Sequence, residues 1–290
     1  MNMENFVFMD IFSIILALTI IILIIIIIML CWKYLLKNLL EKILVNSANN
    51  DVIKQEKEIG FSELAIHNIN SEILSGLKAE EKALKSFEQR ENPRWLMAGE
   101  KSSLNLLIEC QNFTNLTTEA IIEKSYQFNL KSFVEKRKKD YFQGLSNEEK
   151  EDLFGQWEGK FKENNQYILC RKILGKGYLK EALLISVPAE KSWHIPASLK
   201  YGGWNECPEP DVHCALWRHW EENYGAYIVG VSGDTIEAKV LKPPKTREEA
   251  KELALVHYFY CNDIVDQGTG TIAALAETLL DSQYWYFWWD

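Results

Sequence analysis

From Ile11 to Trp32 the chain runs 22 residues without a charge, eleven of them isoleucine. A helix of that length is about 33 Å long, the thickness of a bilayer's hydrocarbon core. The run therefore predicts a single membrane-crossing helix, with the lipid bilayer as a partner through Ile11 to Trp32. A cleaved secretory signal needs a basic start, a shorter apolar stretch and a small-residue cleavage site. Met1 to Asp10 instead carries Glu4 and Asp10 with no Lys or Arg, and Cys31-Trp32-Lys33-Tyr34 follows the run. An uncleaved anchor fits those flanks. Lys33, Lys37 and Lys42 stand just beyond it, opposed by Glu41. That bias expects the larger, carboxyl-terminal part on the cytoplasmic side.

Thiol usage agrees with a reducing compartment. Cys31 lies in the apolar run, while Cys110, Cys170, Cys207, Cys214 and Cys261 are scattered without a disulfide framework. With Glu4 and Asp10 set aside from the 41 acids, residues 33–290 carry 39 acidic against all 32 basic side chains, a net charge of -7. Nucleic acid is therefore excluded as a partner, since phosphate backbones are met by net positive charge. The run Lys136-Arg137-Lys138-Lys139 sits between Glu135 and Asp140. It reads as a solvated helix face or as one turned toward anionic lipid.

The order of the segments follows from periodicity and punctuation. Residues 1–10 are a short leader, 11–32 the membrane helix, 33–93 a helical stalk and linker, 94–180 a helical upstream part of the soluble domain, and 181–290 an α+β domain. In the stalk, Ile66, Ile69, Ile73, Leu77, Leu84 and Phe87 recur at helical spacing, which predicts one helix from Ser62 to Glu91, stopped by Asn92-Pro93. Further helices are expected over 117–139 and from Ser146, where Ser146 and Glu149 form a capping box. In the last third, Glu181–Val187 reads as a buried strand and Asp211–Asn223 as a helix capped by Gly225. Tyr227–Val231 and Thr235–Leu241 form a hairpin through Ser232-Gly233-Asp234. Thr246 and Glu249 cap a helix to about Tyr260, Thr271–Leu280 is another, and Tyr284–Trp289 is an aromatic strand. This succession predicts an α+β fold with a mainly antiparallel sheet and flanking helices, close to a ferredoxin-like split βαβ arrangement.

Particular stretches also carry a likeness. They are Ile195-Pro-Ala197, Tyr201-Gly-Gly-Trp-Asn-Glu-Cys-Pro208, Trp220 to Ala226, Pro243-Pro244, Tyr260-Cys261, Asp263 to Gly270, and Trp288-Trp-Asp290. Together they resemble a bacterial family known as domain of unknown function 4253. Members often carry Glu-Gln ahead of the Tyr-x-Tyr-Cys segment, where this chain has Val256-His257. The resemblance implies a bacterial source, hence the inner membrane, and a compact domain. It brings no activity.

Two loops stand out as sites. Trp204, Asn205 and Glu206 follow Gly202-Gly203, and a loop tryptophan beside polar groups suits a binding cleft as well as a core. Asp263, Asp266, Gln267 and Thr269 crowd the segment that ends at Gly270, where one capping residue would suffice. Cys207, His213, Cys214, His219 and Cys261 lack paired-knuckle spacing, so no metal site and no cofactor are expected. Cys207 or Cys261 with His194 or His257 has no ordering signature of a thiol nucleophile, and buried thiols are the simpler reading. These features predict a membrane-tethered cytoplasmic protein-binding module, an immunity or accessory protein, with a protein partner. The alternatives are a hydrolase using Glu206, Asp263 and Asp266, which ranks below binding, and a structural membrane component. Oligomeric state is not encoded legibly.

Overall fold

The computed structural model describes residues 69–172 and 177–290. The leader, the expected membrane helix Ile11–Trp32 and the stalk up to residue 68 lie outside the described residues. Among the described residues no helix is long and apolar enough to cross a membrane.

Six strands make one sheet: β1 (Asn70–Leu74), β2 (Arg94–Gly99), β3 (Ala182–Val187), β4 (Ala226–Val231), β5 (Thr235–Val240) and β6 (Tyr284–Trp288). Their order is β1-β3-β2-β4-β5-β6. Every pairing is antiparallel except β2 with β4, which run parallel and meet at Met97 and Gly230. The α+β class and the mainly antiparallel sheet thus match the sequence reading. The ferredoxin-like order does not, because β2 inserts between β3 and β4 and β6 takes the outer side of β5. The single helix expected over Ser62–Glu91 is also corrected. Its described part is β1 followed by α1 (Gly76–Gln89), since Glu72 and Leu74 pair with β3 and override a broken helical spacing.

The remaining helices are α2 (Leu104–Cys110), α3 (Thr118–Ser125), α4 (Leu130–Phe142), α5 (Asn147–Phe154), α6 (Ile195–Leu199), α7 (Pro210–Tyr224), α8 (Arg247–Tyr260) and α9 (Ile272–Leu279). The one helix expected over 117–139 is two, because the Asn129 side chain accepts from Ser132 N and starts α4 afresh. Both expected capping boxes form, at Ser146 with Glu149 and at Thr246 with Glu249.

Alternation along the strands gives the sheet two buried faces. One carries Leu96, Ala98, Leu183, Ile185, Val187, Ile228, Ile236, Ala238, Trp285 and Phe287 into the main core, with Trp217, Trp220 and Phe259 of α7 and α8. The other turns Met97, Val229 and Tyr284 to Ala83 of α1 and to Tyr167, while Ala182 and Leu184 meet Ala79. β3 is therefore buried along its full length, as suits a run that is apolar except at Ser186.

Between α5 and β3 an irregular strap is held by carboxylates. Glu277 of α9 accepts the main-chain N–H groups of Glu158, Gly159 (2.7 Å), Lys160 (2.9 Å) and Phe161 (3.0 Å). Ser282 Oγ donates to Asn164 O at 3.0 Å. Glu237 of β5 accepts from Ile168 N (2.5 Å) and Leu169 N (3.1 Å). Desolvation opposes charge on Glu277, but its main-chain donors prevail and hold it below the ordinary carboxyl value. At Glu237 burial prevails over two donors, and its pKa rises from 4.5 to about 8.

Candidate functional site

The Trp204 loop is shaped from beneath by a buried polar chain. Trp217 Nε1 donates to the Tyr260 hydroxyl at 2.9 Å. An indole can only donate, so the hydroxyl proton of Tyr260 goes to His213 Nδ1, 2.6 Å away. His213 then carries its own proton on Nε2, which faces Cys207 Sγ at 3.4 Å. Burial pushes His213 down to about 3, keeping the ring neutral. Gly202 closes against this ring. At φ +110° it occupies backbone space that favours glycine, and a Cβ there would stand 1.9 Å from Pro208 O. Gly203 N donates to Pro208 O at 3.0 Å, and Cys207 N to Trp204 O at 2.8 Å, which throws Trp204, Asn205 and Glu206 outward.

Trp204 is half-buried, edge-on to Tyr201 with ring centres 5.0 Å apart and tilted toward exposed Phe113 at 6.1 Å. Glu206 is exposed and accepts from Arg137 Nη1 and the Tyr141 hydroxyl, each at 3.3 Å. Both donors lie on α4.

The Asp263 segment is a π-helical turn, Ile264–Thr269, closed by Gly270 N donating to Val265 O at 2.8 Å. The segment expected as a loop is thus itself helical. Thr269 is spent within the turn, its hydroxyl directed to Ile264 O and Thr271 O. Asp266 accepts from Asn262 Nδ2 at 3.1 Å. Asp263 Oδ1 accepts from Gln267 Nε2 at 3.0 Å, and Asp263 Oδ2 accepts from Asp290 N at 3.0 Å.

Asp290 joins the two loops. Its main-chain oxygen accepts from Asn205 Nδ2 at 2.6 Å, and its carboxylate from Gln267 Nε2 at 3.3 Å. Trp204, Asn205, Glu206, Asp263, Asp266 and Gln267 thus share one surface. Tyr141 and Tyr258, 5.4 Å apart edge-on, lie between Glu206 and Asp266. Burial raises Tyr141 to about 12; Arg137 opposes that shift, and the two carboxylates add to it. Tyr258 is raised by burial and by Asp266.

Residues 183–290 match the model of the family described as Domain of unknown function (DUF4253). No curated protein and no solved structure matches the chain. The matched segment supplies both candidate loops, Asp290, and the Trp217–Tyr260–His213 chain. Arg137 and Tyr141, which hold Glu206, come from outside it, as does β2 in the middle of the sheet.

Two cavities border β6. A cavity of about 230 Å³ is lined by Asp263, Thr269, His257, Leu275, Thr278 and the side of β6 from Tyr284 to Trp288. One of about 570 Å³ lies past the ends of the parallel strands, among Gly99, Ser102, Leu169, Arg171, Ser232 and Thr235, and also touches Tyr286 and Trp288. Of the three acids considered for hydrolysis, Asp263 lines the smaller of these two cavities, and its oxygens already accept two protein donors. Among the described residues no three of His, Cys, Asp and Glu gather as metal ligands. Cys207 faces His213 rather than His194 or His257. Burial raises both its thiol and that of Cys261, the latter to about 12, which disfavours the thiolate.

Sequence reasoning missed Arg137, Tyr141, Tyr258 and Asp290 as site residues. The terminal Trp288-Trp-Asp290 motif pointed to Asp290. Arg137 was concealed in a basic helix face that reads the same whether or not one member is engaged.

Proposed function

We propose that this chain is a membrane-tethered protein-binding module with its soluble part in the cytoplasm, serving as an immunity or accessory protein. Its partner meets the face formed by Trp204, Asn205, Glu206, Asp263, Asp266 and Gln267. One observation carries this reading: Asp290 ties two loops from distant parts of the sequence into a single surface through hydrogen bonds to Asn205, Gln267 and Asp263. That surface is rich in carboxylates beside a half-buried tryptophan, and Arg137 is the cation paired with it. Such a rim favours a partner with a basic patch, and Trp204 with Phe113 supplies the apolar anchor. The uncharged run Ile11–Trp32 supports tethering, and Lys33, Lys37 and Lys42 support the orientation.

A photo-reactive amino acid placed at Trp204 or Asp266 of the full chain, in cells, should give a discrete adduct that weakens with added salt after membrane isolation. The same group at Lys85, exposed on α1, should not. Equal labelling from all three positions, or none, would remove the reading.

A further inference from the structure

β6 ends the sheet, and among the described residues no strand pairs with its outer side. Gln283 O accepts from Val240 N, and Trp289 N donates to Asp234 O. Odd-numbered residues of this strand therefore turn their main-chain groups toward β5. By the two-residue period of a strand, those of Tyr284, Tyr286 and Trp288 point outward. Two outward carbonyls are occupied, Tyr284 O by Ser282 Oγ at 2.7 Å and Trp288 O by Cys261 Sγ at 2.9 Å. The N–H and C=O of Tyr286 between them have no partner among the described residues. A sheet edge left in this condition is a template for another strand.

The described part of the strap covers the start of the edge. Asn164 is bonded to Ser282, and Tyr167 packs on Tyr284 with ring centres 4.4 Å apart. Beyond them Tyr286 and Trp288 border both cavities. The smaller cavity lies on the side of Trp285 and His257, whose rings are 4.6 Å apart. The larger lies on the opposite side, with Leu169 above Gly230 and Glu237.

We propose that the open half of β6 takes an extended segment of a partner protein as an added strand, whose successive side chains fall alternately into the two cavities. This deepens the protein-binding reading and rests on it. Main-chain bonds to Tyr286 would hold the segment, and the two cavities would select its sequence. The chemistry of each cavity states what it takes. The smaller is walled by Leu275, Leu279, Tyr284 and Trp285, with its one carboxylate, Asp263, already satisfied, and it suits an apolar side chain. The larger presents Lys172 and Glu100, because Arg171 already donates to Tyr167 O and the Tyr178 hydroxyl and pairs with Glu80, and Asp234 already accepts from Ser232 Oγ, Thr235 Oγ1 and Trp288 Nε1. It suits a polar side chain. The occupant is an extended peptide with adjacent apolar and polar residues.

A display library of random octapeptides, panned on the full chain in detergent micelles, tests this. Peptides with a polar residue next to an apolar one should be enriched about tenfold over the same panning on Tyr286→Pro. That variant removes the outward N–H, together with the ring that borders both cavities, and leaves the ladder to β5 intact. N-methylation of the best peptide at alternate residues should weaken binding about tenfold in one register and little in the other. A measurement on the unaltered chain guards against misfolding of the variant. With ¹⁵N-tyrosine labelling, hydrogen exchange at the Tyr286 amide should slow about tenfold when the peptide is added. Equal enrichment on both chains, equal loss in both N-methyl registers, an unprotected Tyr286 amide, or light scattering that shows two copies paired through β6 would each overturn the proposal. Adducts from Trp204 and Asp266 would survive such a failure, so the broader reading is judged separately.

Discussion

Replacing Glu237 by glutamine isolates the cost of burying one carboxyl group under the strap. In the fold this group is raised from 4.5 to about 8 by burial, in spite of N–H donation from Ile168 and Leu169. The unfolded chain releases the proton near 4.5 and the folded chain keeps it until about pH 8. Glu237 therefore supports the fold fully below pH 4.5, and that support is lost as pH rises through about 8. At about 1.4 kcal/mol per unit, the difference of 3.5 units amounts to roughly 5 kcal/mol across the window. Glutamine has no proton to lose, and its single carbonyl accepts from only one of the two N–H groups. The variant should start below the wild type at pH 5, by about 1–3 kcal/mol for the orphaned donor. It should gain on the wild type by up to about 5 kcal/mol toward pH 8.5. Urea unfolding of both chains in detergent, followed by tryptophan fluorescence at several values between pH 4.5 and 8.5, measures the difference. Other titrating groups cancel between the two curves. Parallel curves would mean that Glu237 is ionised in the fold, and the burial argument would fail.

Glu277→Ala removes the acceptor for four main-chain N–H groups and should cost about 1–3 kcal/mol. Limited proteolysis should show faster cleavage near Glu158 to Phe161. Tyr260→Phe leaves Trp217 Nε1 and His213 Nδ1 without partners, so thermal unfolding should occur several degrees lower. Cys110, Cys170, Cys207, Cys214 and Cys261 are all buried, and all have raised thiol pKa values. A water-soluble thiol reagent at pH 8 should label them only after unfolding, and rapid native labelling of Cys207 would contradict the packing under Gly202.

Features written in a few neighbouring residues were legible. The capping boxes at Ser146 and Thr246, the hairpin at Ser232–Asp234 and the Gly225 cap each depend on local chemistry, and each forms. β1 and β2 were not legible, because their pairing depends on residues more than eighty positions away in β3. Ile69 and Ile73 fit a helical spacing as well as a strand, and only the presence of β3 decides between them. The same division holds at the site. Trp204 and Asp263 could be singled out by their neighbours, but the hydrogen bonds through Asp290 that bring the two loops together are properties of the folded chain. Glu237 reads as an ordinary polar position in an alternating strand, and its acceptors' donors lie near residue 168.

Apart from the packed side chains of Tyr167, Leu169 and Cys170, the strap is grasped by its peptide groups. Six N–H groups between Glu158 and Leu169 reach two glutamates, and any residue other than proline can offer an N–H. Its route over the sheet can therefore persist while its exposed amino acids drift. Asn164 and Gln166 stand in the walls of the two cavities, so a lineage could retune what those cavities accept by changing a segment whose anchorage is indifferent to the change.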